Sequence, residues 1–301
     1  MRNRPAAYLV HFVCLTLLLL CRVSFAADLR AVIEDNLKEF GAERAAVYYE
    51  APDGSTFTYN PDVVMHAAST MKVPVLMEAF HQSESGKLKL DQNVPVKNEF
   101  ASIVDGSLFA LAKEDDSDQE LYTHIGREMP FSALMERMIN SSSNLATNII
   151  IQLVAPQNVM ALMKDIGAAD MTVLRGVEDI KAYDAGRNNT TSARALAQCL
   201  KAALDPKRFR DDSRERMFKI LLSQKFKEIG DAIHRIDPSL LVASKDGFIT
   251  AIRHDAAIIR DASGKDSILV ILTEGVEEDQ DGKKLIGVLA YDIWTHFHPA
   301  R

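Results

Sequence analysis

Strand-forming sequence lies at the two ends of this chain, and helical periodicity fills almost everything between them. Near the N-terminus, Ala45–Glu50 and Thr56–Tyr59 carry the β-branched and aromatic residues of strands, joined by the hairpin signal Pro52-Asp53-Gly54. Near the C-terminus, Leu240–Ser244, Ala251–Arg260 and Ser267–Thr273 read as strands, and Asp261-Ala262-Ser263-Gly264 is the turn between the last two. Helical spacing covers 28–40, ending at Gly41, and about 283–297. Between Gly86 and Asp237 nearly all periodic sequence is helical. Phe131, Leu134, Met135 and Met138 form one apolar stripe, and Ala146, Ile149, Ile150 and Leu153 form another. Thr191-Ser192 and Asp212-Ser213 open two further helices. Such a chain has to bring its ends together to complete a sheet. The expected class is α+β, with one antiparallel sheet built from both chain ends, flanking helices, and an inserted all-helical lobe. The sheet lobe is expected over 27–82 and 238–301, and the helical lobe over 83–237.

The first 26 residues stand apart from this pattern. Arg2 and Arg4 precede an apolar run from Ala6 to Leu20, and Ser24-Phe25-Ala26 supplies small residues at the −3 and −1 positions of a cleavage site. These are the parts of a secretory signal peptide, and the run is too short and wrongly flanked for a membrane span. An uncleaved N-terminal anchor is the alternative. Removing 26 of 301 residues takes away Arg2, Arg4 and Arg22 but no acid, so the formal charge moves from −7 to −10. So acidic a protein is poorly suited to nucleic acid or an anionic membrane. Cys14 and Cys21 leave with the signal, and Cys199 alone cannot form an intramolecular disulfide. No later stretch is long and apolar enough to cross a bilayer. The expectation is a soluble monomer, periplasmic or secreted.

Ser69-Thr70-Met71-Lys72 places a hydroxyl and an amine one helical turn apart, directly before the apolar residues Val73, Leu76, Met77 and Phe80. Residues three apart share a helix face, with Cβ atoms roughly 5–6 Å apart, so the amine can reach the hydroxyl. The helix N-terminus favours a developing anion, and burial together with the dipole lowers a lysine pKa toward that of a neutral base. That is equipment for an activated serine nucleophile. A serine before an apolar helix is also an ordinary N-cap. Two further clusters carry the same ambiguity. Ser142-Ser143-Asn144 lies in a short link between helices and reads as a cap or as cleft-facing polar groups. Lys245-Asp246-Gly247 reads as a strand-end turn or as part of a site, and Arg253 and Asp255 read as solvated strand charges or as neighbours of that site. His296-x-His298 lacks a cysteine or carboxylate partner, so no metal is assigned and no cofactor is expected.

In their order, Ser-x-x-Lys, Ser-x-Asn and Lys-x-Gly resemble the motifs of class A β-lactamases and penicillin-binding proteins. The resemblance runs from about Asp28 to His298 and includes Ser142-Ser143-Asn144-Leu145-Ala146-Thr147-Asn148 and Ile252-Arg253-His254-Asp255-Ala256-Ala257. It implies a serine hydrolase that opens cyclic amides through an acyl-enzyme on Ser69. Lys72 takes the nucleophile's proton, Ser142 relays a proton to the leaving nitrogen, and Lys245 keeps the site positive. Asn144 holds a substrate amide, Arg253 meets a substrate carboxylate, and the N–H groups of Ser69 and Phe248, the latter next to Gly247, form the oxyanion hole. The implied partner is a small-molecule β-lactam or a cell-wall peptide. Two positions depart from the pattern. Asp246 stands where the family has threonine or serine; an ionised Asp246 repels a substrate carboxylate or pairs with Lys245 or Arg253, and either way ordinary penicillins are expected to bind less well than to typical members. Glu178, in Arg175-Gly176-Val177-Glu178, offers the glutamate that activates a deacylating water, but Ala182 stands where asparagine is usual. Glu178 either holds that water or forms a loop ion pair with Arg175 or Lys181. The implied alternatives to a lactamase are a cell-wall peptidase or amidase with an atypical substrate, and a binding protein without turnover.

Overall fold

The computed structural model describes residues 29–299, so the signal-peptide reading of residues 1–26 lies outside the described residues. Five strands form one antiparallel sheet in the order Thr56–Tyr59, Arg44–Glu50, Asp266–Glu274, Ile252–Arg260, Leu241–Ile249. The expectation of a sheet closed by both ends of the chain therefore holds. The central strand, Asp266–Glu274, comes from the C-terminal part and pairs on one side with Arg44–Glu50, setting Val47 opposite Ile271. On its other side Ala256 faces Val270, and beyond that Ala256 faces Lys245.

Alternation along these strands builds two cores. Ala46, Tyr48, Ala243, Ala256, Ile258, Ile268, Val270 and Leu272 point toward the helical lobe. Their neighbours Ala45, Val47, Tyr49, Val242, Ala257, Ile259, Leu269 and Ile271 point to the other face. There Leu29, Ile33 and Leu37 of a helix over 29–39 join Leu285, Ile286, Leu289, Ile293 and Trp294 of the helix Asp279–Phe297. Because both faces are covered, the strands read as nearly unbroken apolar runs rather than as an alternation of apolar and polar residues. Cys199 is free and buried in the helical-lobe core.

The helix Lys72–Glu84 runs through that core. The predicted stripe Val73, Leu76, Met77 and Phe80 is buried, but so are Val75, Glu78, Ala79 and Gln82. A helix buried on nearly every side marks the centre of a lobe rather than its surface. Its inward polar groups are matched, since Gln82 Nε2 donates to Glu78 Oε1 at 2.7 Å and to the Val154 carbonyl at 2.7 Å. Pro74 is tolerated because the first helical turn needs no N–H there. Around it pack Phe131–Asn140, Asn144–Val154, Pro156–Asp165 and Ala193–Ala203. One position of the predicted stripes differs: Leu153 is exposed and Val154 turns inward, because the helix ends there and Ala155 enters left-handed backbone at φ 64°.

The helical lobe also carries short ribbons that the reading of an all-helical insert did not include. Asn93–Pro95 pairs with Glu128–Pro130, and Phe100–Ala101 pairs with Leu108–Phe109. A third ribbon pairs Met65–His66 with Thr190–Thr191 and so joins the two lobes. Pieces of two or three residues are too short to show a period of two, and the apolar helices dominate the signal around them. Among the described residues no single helix is long and apolar enough to cross a membrane.

Gly275 closes the end of the central strand. Its backbone sits at φ +98°, its N–H donates to the Ala251 carbonyl at 2.8 Å, and a Cβ there would lie 2.6 Å from the Glu43 nitrogen. We expect Gly275→Ala to lower stability by about 2–4 kcal/mol through strain and backbone displacement. A urea unfolding curve with an unchanged midpoint would refute this.

Candidate active site

Ser69 lies in a single 3-10 turn, Ala68–Met71, that runs directly into the helix starting at Lys72. Neither the turn nor the helix has a side-chain cap, so Ser69 is not the ordinary N-cap that its sequence position allows. Ala68, just before it, adopts left-handed backbone at φ 46°. A non-glycine residue is held in that region only where its surroundings impose it. The Thr70 hydroxyl fixes the turn by donating to the Ala67 carbonyl at 2.6 Å.

Lys72 is fully buried. Its Nζ donates to the Ser142 carbonyl at 2.7 Å, the Ser142 Oγ at 3.1 Å and the Asn144 Oδ1 at 2.9 Å. The amine's hydrogen bonds therefore go to Ser142 and Asn144 rather than to the Ser69 hydroxyl. Burial is the main force on this group, and the nearby Lys245 charge adds to it. Together they push its pKa down to about 7.

The link between the helices Phe131–Asn140 and Asn144–Val154 divides its work among three residues. Ser143 caps the second helix, accepting from the Ala146 N–H at 3.2 Å. Ser142, at φ 54°, and Asn144 turn their side chains to Lys72 instead. Ser143 thus takes the cap, while Ser142 and Asn144 face the lysine. Asp116, which the sequence did not single out, braces the link by accepting from the Leu145 N–H at 2.8 Å and from the Ser143 hydroxyl at 3.4 Å.

Lys245-Asp246-Gly247 lies within the strand Leu241–Ile249 rather than at a strand-end turn. Lys245 Nζ donates to the Ser142 Oγ at 3.1 Å, so two lysine nitrogens converge on one serine hydroxyl. Gly247 brings this strand against the turn that carries Ser69. A Cβ at 247 would sit 3.0 Å from the Thr70 nitrogen and 3.1 Å from the Ser69 nitrogen. Phe248 is exposed beside this contact.

Glu178, at φ 61°, accepts from the Asn144 Nδ2 at 2.6 Å. Arg175 is bound instead to the carbonyls of Arg187 and Gly176, and Lys181 pairs with Asp105 at 2.8 Å. The glutamate therefore faces the site, and the loop ion-pair alternative does not occur. Burial raises its pKa, and the Asn144 bond opposes that rise. Ala182 leaves no side-chain amide to steady the loop, and Asn148 supplies one from elsewhere. Its Oδ1 accepts from the Val177 N–H at 2.6 Å and its Nδ2 donates to the Val177 carbonyl at 3.0 Å.

Arg253 departs from its expected place as a receptor for substrate. It is buried, with its fork on Glu228 and on Asp279 Oδ1 at 2.8 Å, and its guanidinium carbon lies 4.8 Å from the centre of the Phe248 ring. Two carboxylates within reach outcompete solvent for a charge held under a side chain. Asp246 is also buried and pairs with Lys245, one of the two partners its sequence context offered. Its Oδ1 also accepts from Gln224 Nε2 at 3.0 Å, a residue no motif had marked.

The sequence profile described as the beta-lactamase enzyme family matches residues 24–297. The chain belongs to the beta-lactamase enzyme family. A curated relative, a beta-lactamase of Rhodobacter capsulatus, is 26% identical over 169 residues, covering 56% of this chain and 53% of that protein. The match thus spans only about half the length of the curated relative. A solved beta-lactamase from Sphaerobacter thermophilus DSM 20745 shares the fold with a TM-score of 0.75 at 22% identity, over 92% of this chain and 98% of that one. PBP-A, solved as an acyl-enzyme complex with penicillin-G in a variant form, shares it with a TM-score of 0.74 at 21% identity, over 91% and 97%. Among the described residues no group of three or more metal-ligating side chains comes together in this family member.

The approach of Gly247 to the Ser69 backbone makes a clear expectation. Gly247→Ala must push the strand from the turn by a few tenths of an ångström, and we expect kcat/KM to fall by about 10²-fold on any substrate the protein turns over. Circular dichroism should remain native. Unchanged kinetics in a folded variant would show that this contact does not set the site's geometry.

Proposed function

We propose that this beta-lactamase-family protein is an exported serine hydrolase that cleaves β-lactam amide bonds through an acyl-Ser69 intermediate. The observation that carries the proposal is the convergence of the Lys72 and Lys245 nitrogens on the Ser142 hydroxyl, with Glu178 joined to Lys72 through Asn144. The Ser69 Oγ adds to the lactam carbonyl carbon while its proton passes to neutral Lys72. The N–H groups of Ser69 and Phe248 receive the oxyanion; one such donor is typically worth about 10²–10³ in rate. Collapse breaks the carbon–nitrogen bond, and Lys72 returns the proton through the Ser142 hydroxyl to the leaving nitrogen. Glu178 then takes a proton from water as the oxygen adds to the ester carbon, and collapse breaks the bond to Ser69 while Glu178 gives that proton to the Ser69 oxygen. Lys245 stabilises the polarised Ser142 oxygen during the relay. The N-terminal segment 1–26 supports export to the periplasm or medium, where such substrates are met.

Two outcomes follow. Ser69→Ala should abolish labelling by a fluorescent penicillin and lower turnover by more than about 10³-fold, whereas Glu178→Gln should still acylate and then hold its adduct. Intact-protein mass spectrometry distinguishes these, and an adduct on Ser69→Ala would end the proposal. The acylation rate should also rise as pH climbs through about 7, because Lys72 accepts a proton only after losing its own. A rate independent of pH between 5.5 and 8.5, roughly a decade and a half either side of that pKa, would assign the base to another group.

A further inference from the structure

We propose that the site selects acyl compounds with no anionic group beside the scissile bond, and that Asp246 with its clamp Gln224 enforces this choice. The inference rests on the acyl-Ser69 chemistry above and names the substrate class of that same site. Its starting point is where the cations of the site direct their hydrogen bonds. Lys245 donates to the Ser142 Oγ at 3.1 Å, to the Asp246 carbonyl at 2.9 Å and to the Asp246 carboxylate. A lysine ammonium has three hydrogens, so none is left for a ligand. Arg253 is neutralised by Glu228 and Asp279. The Lys72 hydrogen bonds end on Ser142 and Asn144. Lys225 is exposed and directs its amine to the Ser141 hydroxyl at 2.9 Å.

A buried carboxylate, by contrast, already occupies Lys245. Asp246 is fully buried, and its second oxygen, Oδ2, has no hydrogen-bond partner. Directly across the strand pair stands Asp255, also fully buried, which accepts from the Ile229 N–H at 2.9 Å and the Ala256 N–H at 2.9 Å. An unpartnered carboxylate oxygen inside a protein is costly, and a threonine there would avoid the cost. The acid is held rather than merely tolerated, because Gln224, itself buried, donates to it at 3.0 Å. The carboxylate of Asp246 thus takes the lysine that a substrate carboxylate would otherwise engage, and a second anion brought to the same lysine meets repulsion at short range. Selectivity by repulsion of the wrong ligand needs no additional contact with the right one.

The test uses a chromogenic cephalosporin as its free acid and as its methyl ester, with wild type, Asp246→Thr and Asp246→Asn. Both kcat/KM and the Ser69 adduct mass are read. Wild type should prefer the ester by about 10- to 100-fold, and both variants should move the ratio toward the acid by at least about 10-fold. Asp246→Asn keeps the volume and an acceptor for Gln224, so it guards against misfolding of the threonine variant. A wild-type enzyme that forms the adduct but treats acid and ester alike, or prefers the acid, overturns the inference and leaves the serine chemistry standing. Variants that acylate with an unmoved ratio overturn the role of Asp246. Failure of every form to acylate with either compound removes the hydrolase reading and this inference together.

Discussion

The amine of Lys72 is sealed from solvent, and the arrangement around it follows from the cost of keeping a charge there. A buried ammonium needs acceptors on every hydrogen, and here two belong to Ser142 and one to Asn144. Meeting that need fixes the link between two helices in a left-handed conformation at Ser142, which aims its hydroxyl outward to Lys245. It also fixes the Asn144 amide, whose other end holds Glu178. One desolvated nitrogen therefore organises groups from the first helix of the lobe, the link, the loop at 175–189 and the sheet. The same desolvation pushes the amine's pKa down to about 7, so the constraint that orders the pocket also brings its nitrogen close to losing its charge.

Much of this was legible in the chain. The strands at the two ends and the helical stripes between them gave the sheet and its insert, because each reflects a period that burial enforces over many residues. Lys72, Ser142, Asn144 and Lys245 were legible as motif residues, and the fold joins them by hydrogen bonds beside the Ser69 turn. The ribbons at 65–66 with 190–191 and at 93–95 with 128–130 were not, since pairing of two or three residues leaves no pattern in sequence. Gln224, Asp116 and Asn148 were also hidden. Each acts through a single hydrogen-bonding side chain brought from a distant segment, and nothing local distinguishes such a residue from a surface polar one. Arg253 was misplaced for a related reason. Its strand position was clear, but its carboxylate partners Glu228 and Asp279 come from helices whose docking the sequence does not specify.

The charges near the pocket form two neutralised groups rather than one positive field. Lys245 with Asp246 forms the first, and Arg253 and Lys283 with Glu228 and Asp279 form the second. A buried pair such as Lys245 with Asp246 contributes little net stability, since desolvation offsets most of its attraction. The effect of the two groups lies in potential: a cleft whose cations are matched internally draws no anion toward it.

The ribbon of Met65–His66 with Thr190–Thr191 lies just before the turn that carries Ser69 and just after the loop that carries Glu178. Asn189 strengthens the tie, its carbonyl accepting from the Ala67 N–H at 2.8 Å while its side chain binds the Leu174 N–H at 2.8 Å and the Arg175 carbonyl at 3.0 Å. Loop and turn are thus stitched into one mechanical unit. A displacement at the Glu178 end is transmitted to the Ser69 end, so neither group can be repositioned without moving the other.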